Sequence, residues 1–569
     1  MDLYYFGFFR NLFFLISDYQ IVYFAAFTLI AYFLLVNLHP LRNALSTSLP
    51  TLISKYLFPL SIGIILIYFL IVILYAFSPL YLDHGEASVS VIGFLLKGNY
   101  ELYPSLISGK FYGVPYGPAL FLLQKWFYLI FGDSIEASKL VGVLGSIFSF
   151  IILYLAICNR KNSKTSLYLI AYVLIVFLQY SSWTFWNRSE PLIMFFMGLA
   201  LFGIRQKNIY FSLFLLSISF GFAVNLKITS VFYMLPIFLL SLERKSARFH
   251  IATICLSLLI VILPFLYKNI SFFNYLDLIK LASNETMYFK LFCDCLSFSF
   301  LYYFIPTVLI LLYLSKHKEN YKDFFLKYKF PLITLFVCLV VVNIMGAIAG
   351  GGKLYLLPFM PLFVYFWSKL INTEFIFEYV KISNTKLLII LSLLLGLTFS
   401  TVPPCGLKTG YMLLRFSKNL KKDAIPRQVI NDLRNIDKQY ADLTIHMGLG
   451  EYSGYIYTYY RPALVYMGNP YYIDFAIFMA YQNAEMLDRK RLAQIFEACK
   501  IDIWLIPKGN VPFRMANWID EIPHSERKRL FDQELRNSFL NNYDLINSSK
   551  FFDIYKCKTN LLDSQPKPL

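Results

Sequence analysis

The chain has 569 residues, of which 58% are hydrophobic, 19% aromatic and only 15% charged, with a mean hydropathy of +0.57. A soluble domain carries about half apolar and about a quarter charged residues, so this scarcity of charge excludes an ordinary soluble protein and indicates a polytopic α-helical membrane protein. A formal net charge of +18 would suggest nucleic acid in a soluble chain. Here the basic residues gather in short loops between apolar runs, as membrane orientation requires, and no nucleic-acid partner is expected.

Apolar segments occur in order near 21–38, 57–79, 137–158, 166–183, 190–205, 209–224, 229–242, 250–267, 297–315, 331–349, 354–370 and 386–402. Several are shorter than the ~20 residues a span needs, so their ends must reach into the flanking loops. The count comes to about twelve transmembrane helices. Residues 1–56 form an N-terminal segment with one extra span. A single span at 21–38 puts the N-terminus outside, a hairpin using 3–16 would put it inside, and Arg10 in that stretch argues against the hairpin. The first residues lack a basic start and a small-residue cleavage site, so no cleavable signal peptide is expected.

Directly after 57–79 comes Asp83-His84-Gly85-Glu86, two carboxylates and an imidazole where the chain leaves the bilayer, and then a stretch rich in Tyr, Gly and Pro. The segment 117–131 is ambiguous as a span, and the positive-inside rule decides it. If it does not cross, one side receives Arg42 and Lys55, Arg160, Lys161 and Lys164, Arg205 and Lys207, Arg244, Lys245 and Arg248. The lysines between 316 and 329, with Lys381 and Lys386, fall on that side too. If 117–131 did cross, every later basic loop would change sides. It is therefore read as a helix lying along or dipping into the outer face, and the loop 80–136 as outside.

The membrane domain then covers 57–402. After Pro403-Pro404 the composition changes, and 403–569 carries helical and strand-like pieces, with "DIWLIPKG" reading as a buried strand ending in a turn. This is an extracytoplasmic α/β domain over the mouth of the membrane helices. The eight cysteines include no CxxC pair and no His-linked zinc spacing. Cys158, Cys255 and Cys338 lie in apolar runs and should be buried. Cys293, Cys295, Cys405, Cys499 and Cys557 fall outside, where a disulfide is permitted but its partners are not legible.

Ionisable residues at the outer span ends carry the chemistry. Asp83 and Glu86 follow one span, Arg188 and Glu190 sit in "SSWTFWNRSEPLIMFF", Lys227 in "GFAVNLKITSVFYMLPIF" and Lys353 in "GAIAGGGKLYLLPFMPLF". Singly, each has a bland reading: a solvated loop acid, or a base snorkelling to lipid phosphates. Together, acids and bases at one membrane level describe a site for an anionic headgroup beside a carboxylate.

"LDHGEASVSVIGFLLKGNYELYP" and "GVPYGPALFLLQKWFYLIFGDSIEASKLVGVLGSIFSFIILYLAICNRKNSK" resemble the first outer loop of the GT-C class of integral-membrane glycosyltransferases. The similarity is to the glycosyltransferase 39-like branch, that of protein O-mannosyltransferases and aminoarabinose transferases. "WNRSEPLIMFFMGLALFGIRQK" resembles its R-x-D/E-P span, "GFAVNLKITSVFYMLPIF" its next motif span and "GGKLYLLPFMPLFVYFW" its YLLP span. The match runs in order over about residues 57–370. This sequence departs from the pattern where His84 and Gly85 separate the two acids, in the extra segment at 21–38, and in a C-terminal domain without a substrate signature.

The resemblance implies a GT-C-like fold in 57–402 and transfer of a sugar, with inversion, from a polyprenyl-phosphate donor. The acceptor would be an envelope glycan, a lipid or a protein, reached from the outer face of a bacterial inner membrane. It implies a general base in the acidic pair Asp83 and Glu86, with Asp83 the first choice and Glu86 then positioning the acceptor or a cation, and Arg188, Lys227 and Lys353 on the donor phosphate. His84, Tyr112, Tyr116, Glu190 and Tyr355 would line the pocket. No cofactor is expected; a divalent cation, if used, would be held by Asp83, His84 and Glu86. A secondary transporter is the rival reading, but it calls for charge near span centres, which are almost free of it. A non-catalytic receptor or assembly protein is the other.

Overall fold

The computed structural model describes residues 49–558 apart from 107, 159–162, 181–183, 243–244, 285, 315–319, 349, 372–403 and 517–528. The expected spans at 21–38 and 386–402 lie outside the described residues. In their described residues the other ten apolar segments are mainly helical. Among the described residues, seven helices are long and apolar enough to cross a membrane by length and composition, from Tyr56–Phe77 and Ile135–Ile157 to Phe325–Gly346 and Lys353–Ile371. Ser163–Leu178, Glu190–Ile204, Ile228–Leu242 and Pro118–Phe131 are shorter apolar helices.

Helix ends follow local chemistry. Ser134 caps Ile135–Ile157 by accepting from the Ala137 amide at 3.0 Å, and Asn208 caps Ile209–Leu226 by accepting from Tyr210 and Phe211 at 2.9 and 3.1 Å, each meeting donors that a helix start leaves free. Outward faces stay apolar: Leu66, Leu70 and Ile73, Ile251 and Leu259, and Ile333, Phe336 and Val340 are exposed. Surface of that kind is stable against lipid and not against water. Cys338 is buried as expected, but Cys255 is exposed. It lies on such an outward face, and an apolar run in a membrane helix says nothing about which side meets protein.

The two ends of Pro118–Phe131 are fixed by contacts with neighbouring elements. At its start Gly117 donates to the Leu226 carbonyl at 2.9 Å and Ala119 to Asn225 Oδ1 at 2.7 Å, beside Lys227. Just past its end Asp133 pairs with Lys97 at 2.6 Å, and within its last turn Tyr128 donates to the Ser90 carbonyl at 2.9 Å. Both ends therefore lie at the same end of the bundle. A Cβ on Gly117 would collide with the Asn225 carbonyl, so only glycine allows the helix start to press this close.

The structure adds a helix, His84–Lys97, where the sequence reading has only the Tyr/Gly/Pro stretch. Its signal is the acid spacing itself. Asp83 is the N-cap, accepting from the Gly85 amide, and Glu86 at the third helical position reaches back to the Leu82 amide, the spacing of a capping box with its bonds shifted by one residue.

Beyond the membrane helices, Pro404–Asn419 packs on the first described span, with Asn419 donating to Ser78 Oγ at 3.2 Å. A four-stranded sheet follows. In the order β1 (Ile445–Met447), β2 (Ile503–Pro507), β4 (Phe552–Cys557), β3 (Tyr543–Ser548), β1 and β2 are parallel and the other pairs antiparallel. β2 is buried throughout, matching the strand read from "DIWLIP". Cys499 and Cys557 form a disulfide that ties the end of the Arg489–Glu497 helix to β4. The domain docks firmly: Val429, Leu433, Ile503 and Phe552 share a core with Leu80, Tyr81, Ala87 and Ile135 from the membrane side. Phe111 also exchanges backbone hydrogen bonds with Tyr472 and Asp474, both 2.7 Å.

Candidate active site

The two acids of the Asp83-His84-Gly85-Glu86 turn face different surroundings. Glu86 is fully buried. Its carboxylate accepts from the Tyr75 hydroxyl, from the Leu82 amide at 2.6 Å and from the Asn187 amide at 2.8 Å. Burial pushes its carboxyl above the usual range, against the pull of Lys139 and of these hydrogen bonds. Glu86 thus stitches the turn to the first span and to the Trp186–Arg188 turn, with no room left for substrate.

Asp83 is 26% exposed at its side chain and ion-paired with Arg188. Burial alone would raise its carboxyl; the Arg188 guanidinium, His84 and the Gly85 amide outweigh it and hold the group down to about 2. Arg188 lies over the Trp186 ring at 4.0 Å, a cation–π contact that helps hold the guanidinium in place. A Cβ at position 85 would run into that guanidinium. Gly85 is therefore what lets Arg188 reach Asp83.

The Lys227–Glu190 pair continues the cluster. Lys227 caps the Ile209–Leu226 helix, is buried, and donates to Glu190 Oε1 at 3.0 Å. The Tyr355 ring covers its ammonium at 3.7 Å and the Tyr116 ring lies 5.5 Å away. Tyr116 bridges the two cation groups: burial pushes its phenol up to about 12, Glu190 adds to this, and Arg188 and Lys227 oppose it. Glu190 Oε2 is buried without a hydrogen-bond partner. Lys353 stands apart from this cluster, partly exposed and 3.7 Å from Asp294, although the short helix it opens delivers Tyr355 to Lys227.

Two expected pocket residues belong instead to the seam with the C-terminal domain. The Tyr112 hydroxyl donates to the Glu101 carbonyl at 3.1 Å and its ring packs on Tyr471. The His84 ring lies 6.1 Å from Tyr455, and burial lowers its imidazole below the usual value. Sequence reasoning missed the C-terminal side entirely. Arg461 and Tyr455 reach the acidic turn at His84 from stretches with no local signature of a site, and Tyr471 backs Arg461. Among the described residues no group of three or more His, Cys, Asp and Glu side chains is gathered as metal ligands would be, Asp83, His84 and Glu86 included.

Solved structures of ArnT from Cupriavidus metallidurans are similar in overall course. The form bound to undecaprenyl phosphate aligns at 9% identity and a TM-score of 0.47, over 87% of this chain and 97% of that one. The apo form aligns at 10% identity and a TM-score of 0.45, over 88% and 98%. No curated protein matches the chain. Residues 115–267, which carry Tyr116, Arg188, Glu190 and Lys227 but neither Asp83 nor Lys353, match the model of the dolichyl-phosphate-mannose-protein mannosyltransferase family.

Proposed function

We propose that the chain is a glycosyltransferase moving a hexosyl or pentosyl unit from a polyprenyl-phosphate donor to an envelope glycan, lipid or protein. Transfer would occur with inversion, on the extracytoplasmic face of a bacterial inner membrane. The observation that carries this reading is a single cluster at the ends of apolar helices: the accessible Asp83 carboxylate on Arg188, beside the buried Lys227–Glu190 pair. The family match over 115–267 supports it, because that segment supplies both cations.

In this mechanism an acceptor hydroxyl oxygen attacks the anomeric carbon. The bond from that carbon to the phosphate oxygen breaks, and the electron pair leaves on the phosphate. The hydroxyl proton passes to Asp83, which is the more exposed of the two acids and stays ionised. Arg188 and Lys227 meet the charge growing on the leaving phosphate, Arg188 as a planar fork and Lys227 as a point charge. Arg188 is then shared: as the donor phosphate draws it away from Asp83, the carboxylate loses its stabilising partner and becomes a stronger base. Lys353 guides the lipid phosphate at the rim. With Arg188 beside Asp83, we propose that no divalent cation is needed, so transfer should persist in a chelator.

The test is incubation of the purified full chain with a labelled polyprenyl-phosphate sugar and candidate acceptors. Free polyprenyl phosphate and a glycosylated product are expected, and both should be lost in Asp83→Asn. A donor that is moved or retained with its sugar still attached would replace this reading with transport or simple binding.

A further inference from the structure

Where the C-terminal domain meets the membrane helices, the two border an open cavity of about 460 Å³ whose lining includes none of Asp83, Arg188 and Lys227. One wall is Pro79, just beyond the Tyr56–Phe77 span, with Asp133 to Glu136 at the head of the Ile135–Ile157 span. The other is the Ile425–Gln439 helix and the residues before it, which bring Lys422, Arg427 and Arg434. Arg427 and Arg434 are two turns apart and so share a face, with Asn431 between them.

The charge in this cavity is unbalanced. Asp133 is already paired with Lys97 at 2.6 Å. That leaves Glu136 against three cations, and Glu136 also lies within electrostatic reach of Lys139. Arg427 Nε is buried without a hydrogen-bond partner. That nitrogen is itself closed off, but the Arg427 side chain is only half-buried and Lys422 and Arg434 are exposed, so an anion in the cavity would meet cations that the lining does not balance. The depth is informative too, because two spans emerge at this level, where lipid headgroup phosphates lie.

We propose that this cavity binds a phosphate group, carried by a membrane lipid or free in solution, and that Arg427 and Arg434 are its principal ligands. The site is separate from the sugar-transfer cluster and does not depend on that reading.

The test uses the full chain in a non-ionic detergent. Its thermal midpoint is followed while phosphatidylglycerol, phosphatidylcholine or inorganic phosphate is added, for the wild type, Arg427→Ala/Arg434→Ala and Lys438→Ala, a change on the same helix outside the cavity. The phosphatidylglycerol concentration for half the shift should rise on the order of tenfold or more in the double variant and stay put in Lys438→Ala. A response to phosphatidylglycerol without one to inorganic phosphate assigns the group to a lipid headgroup; a matching response to inorganic phosphate assigns it to free phosphate. No response in the wild type, or the same half-point in the wild type and the double variant, overturns the site. Should the alanine pair not fold, Arg427→Lys/Arg434→Lys is read instead. It keeps the charge but loses the guanidinium fork, and an unchanged half-point there also counts against the site.

Discussion

Arg461, in the C-terminal domain, donates through Nη2 to the backbone carbonyl of His84 at 2.8 Å and to Ser88 Oγ at 2.5 Å. The turn that carries Asp83 is therefore held from above by a residue 377 positions away in sequence. Arg461 is buried, and is itself fixed by Asp474 at 3.6 Å, the Tyr471 hydroxyl at 3.0 Å and the Thr458 carbonyl at 3.1 Å. It touches neither the proposed base nor the donor cations, so its role is positioning.

Arg461→Ala removes the cation beside the buried Asp474, which keeps the neutral Tyr471 hydroxyl at 2.7 Å, and takes from the His84 carbonyl one of its donors, a change of the kind that costs about 3–5 kcal/mol in a buried site. Turnover should fall roughly tenfold or more with little change in donor affinity, and Arg461→Lys should restore part of it. A loss confined to donor affinity would move Arg461 out of this role and onto the phosphate.

The two acids should respond differently to amide replacement. Asp83→Asn keeps its shape but cannot accept a proton, so transfer should drop on the order of 10²–10⁴-fold while the protein still inserts. Glu86→Gln offers one oxygen where Tyr75, Leu82 and Asn187 now share two, so its main effect should be a lower thermal midpoint. Gly85→Ala, which forces Arg188 off Asp83, should mimic the Asp83 defect only in part, because the carboxylate survives. Turnover and thermal midpoint measured on all three variants separate the roles. Full activity in Asp83→Asn would remove the proposed base.

These outcomes show where the sequence speaks and where it stops. Spans are legible because hydrocarbon demands long apolar runs, and one-sided basic loops lead to the expectation that Pro118–Phe131 does not cross, with which its two ends, held at one end of the bundle, agree. The acids at 83 and 86 are legible as unusual, but their spacing serves two purposes at once: it caps a helix and it presents a carboxylate. Only burial separates them, and burial is tertiary. Lys353 looks equivalent to Lys227 by position, yet Asp294, from a helix far off in sequence, engages it. Arg461 sits in "YTYYRPALVY", where nothing local distinguishes it from a surface arginine.

His446 gives the extramembrane domain a built-in acid sensitivity. Its ring is buried between Tyr471 and Trp504, at centroid distances of 5.8 and 4.8 Å, with Nδ1 2.9 Å from the Met447 carbonyl. Burial lowers the imidazole from 6.5 to about 4, Arg461 adding to the shift and the Met447 carbonyl and Asp474 opposing it. Between these values the unfolded chain binds a proton that the folded domain refuses. Stability contributed by neutral His446 is therefore present above about 6.5 and lost as pH falls toward 4, on the order of 3 kcal/mol in all. Urea unfolding across that window, compared with His446→Asn, should show a slope that the variant lacks. Parallel slopes would mean that His446 protonates freely in the fold.

The sidedness of the bundle can be read directly with single cysteines, after Cys255 and Cys293 are replaced. Substitutions at Ser108 and Ser283 should be labelled by an impermeant reagent from outside, and those at Lys164 and Arg205 only from the cytoplasm. The contacts agree with the basic-loop argument. Asn274, on the helix that ends at Ser283, donates to the Tyr103 carbonyl at 2.8 Å, so both loops share one end of the bundle. Arg205 donates to the Ala156 and Cys158 carbonyls at 2.5 and 2.9 Å, at the opposite end of the Ile135–Ile157 span from Ser134. A polyprenyl-linked donor needs base and cations at one membrane level, and this arrangement provides it only while Pro118–Phe131 stays on one side. Labelling of Ser108 and Ser283 from opposite sides would put Asp83 and Lys227 on opposite faces, and no single active site could then hold both.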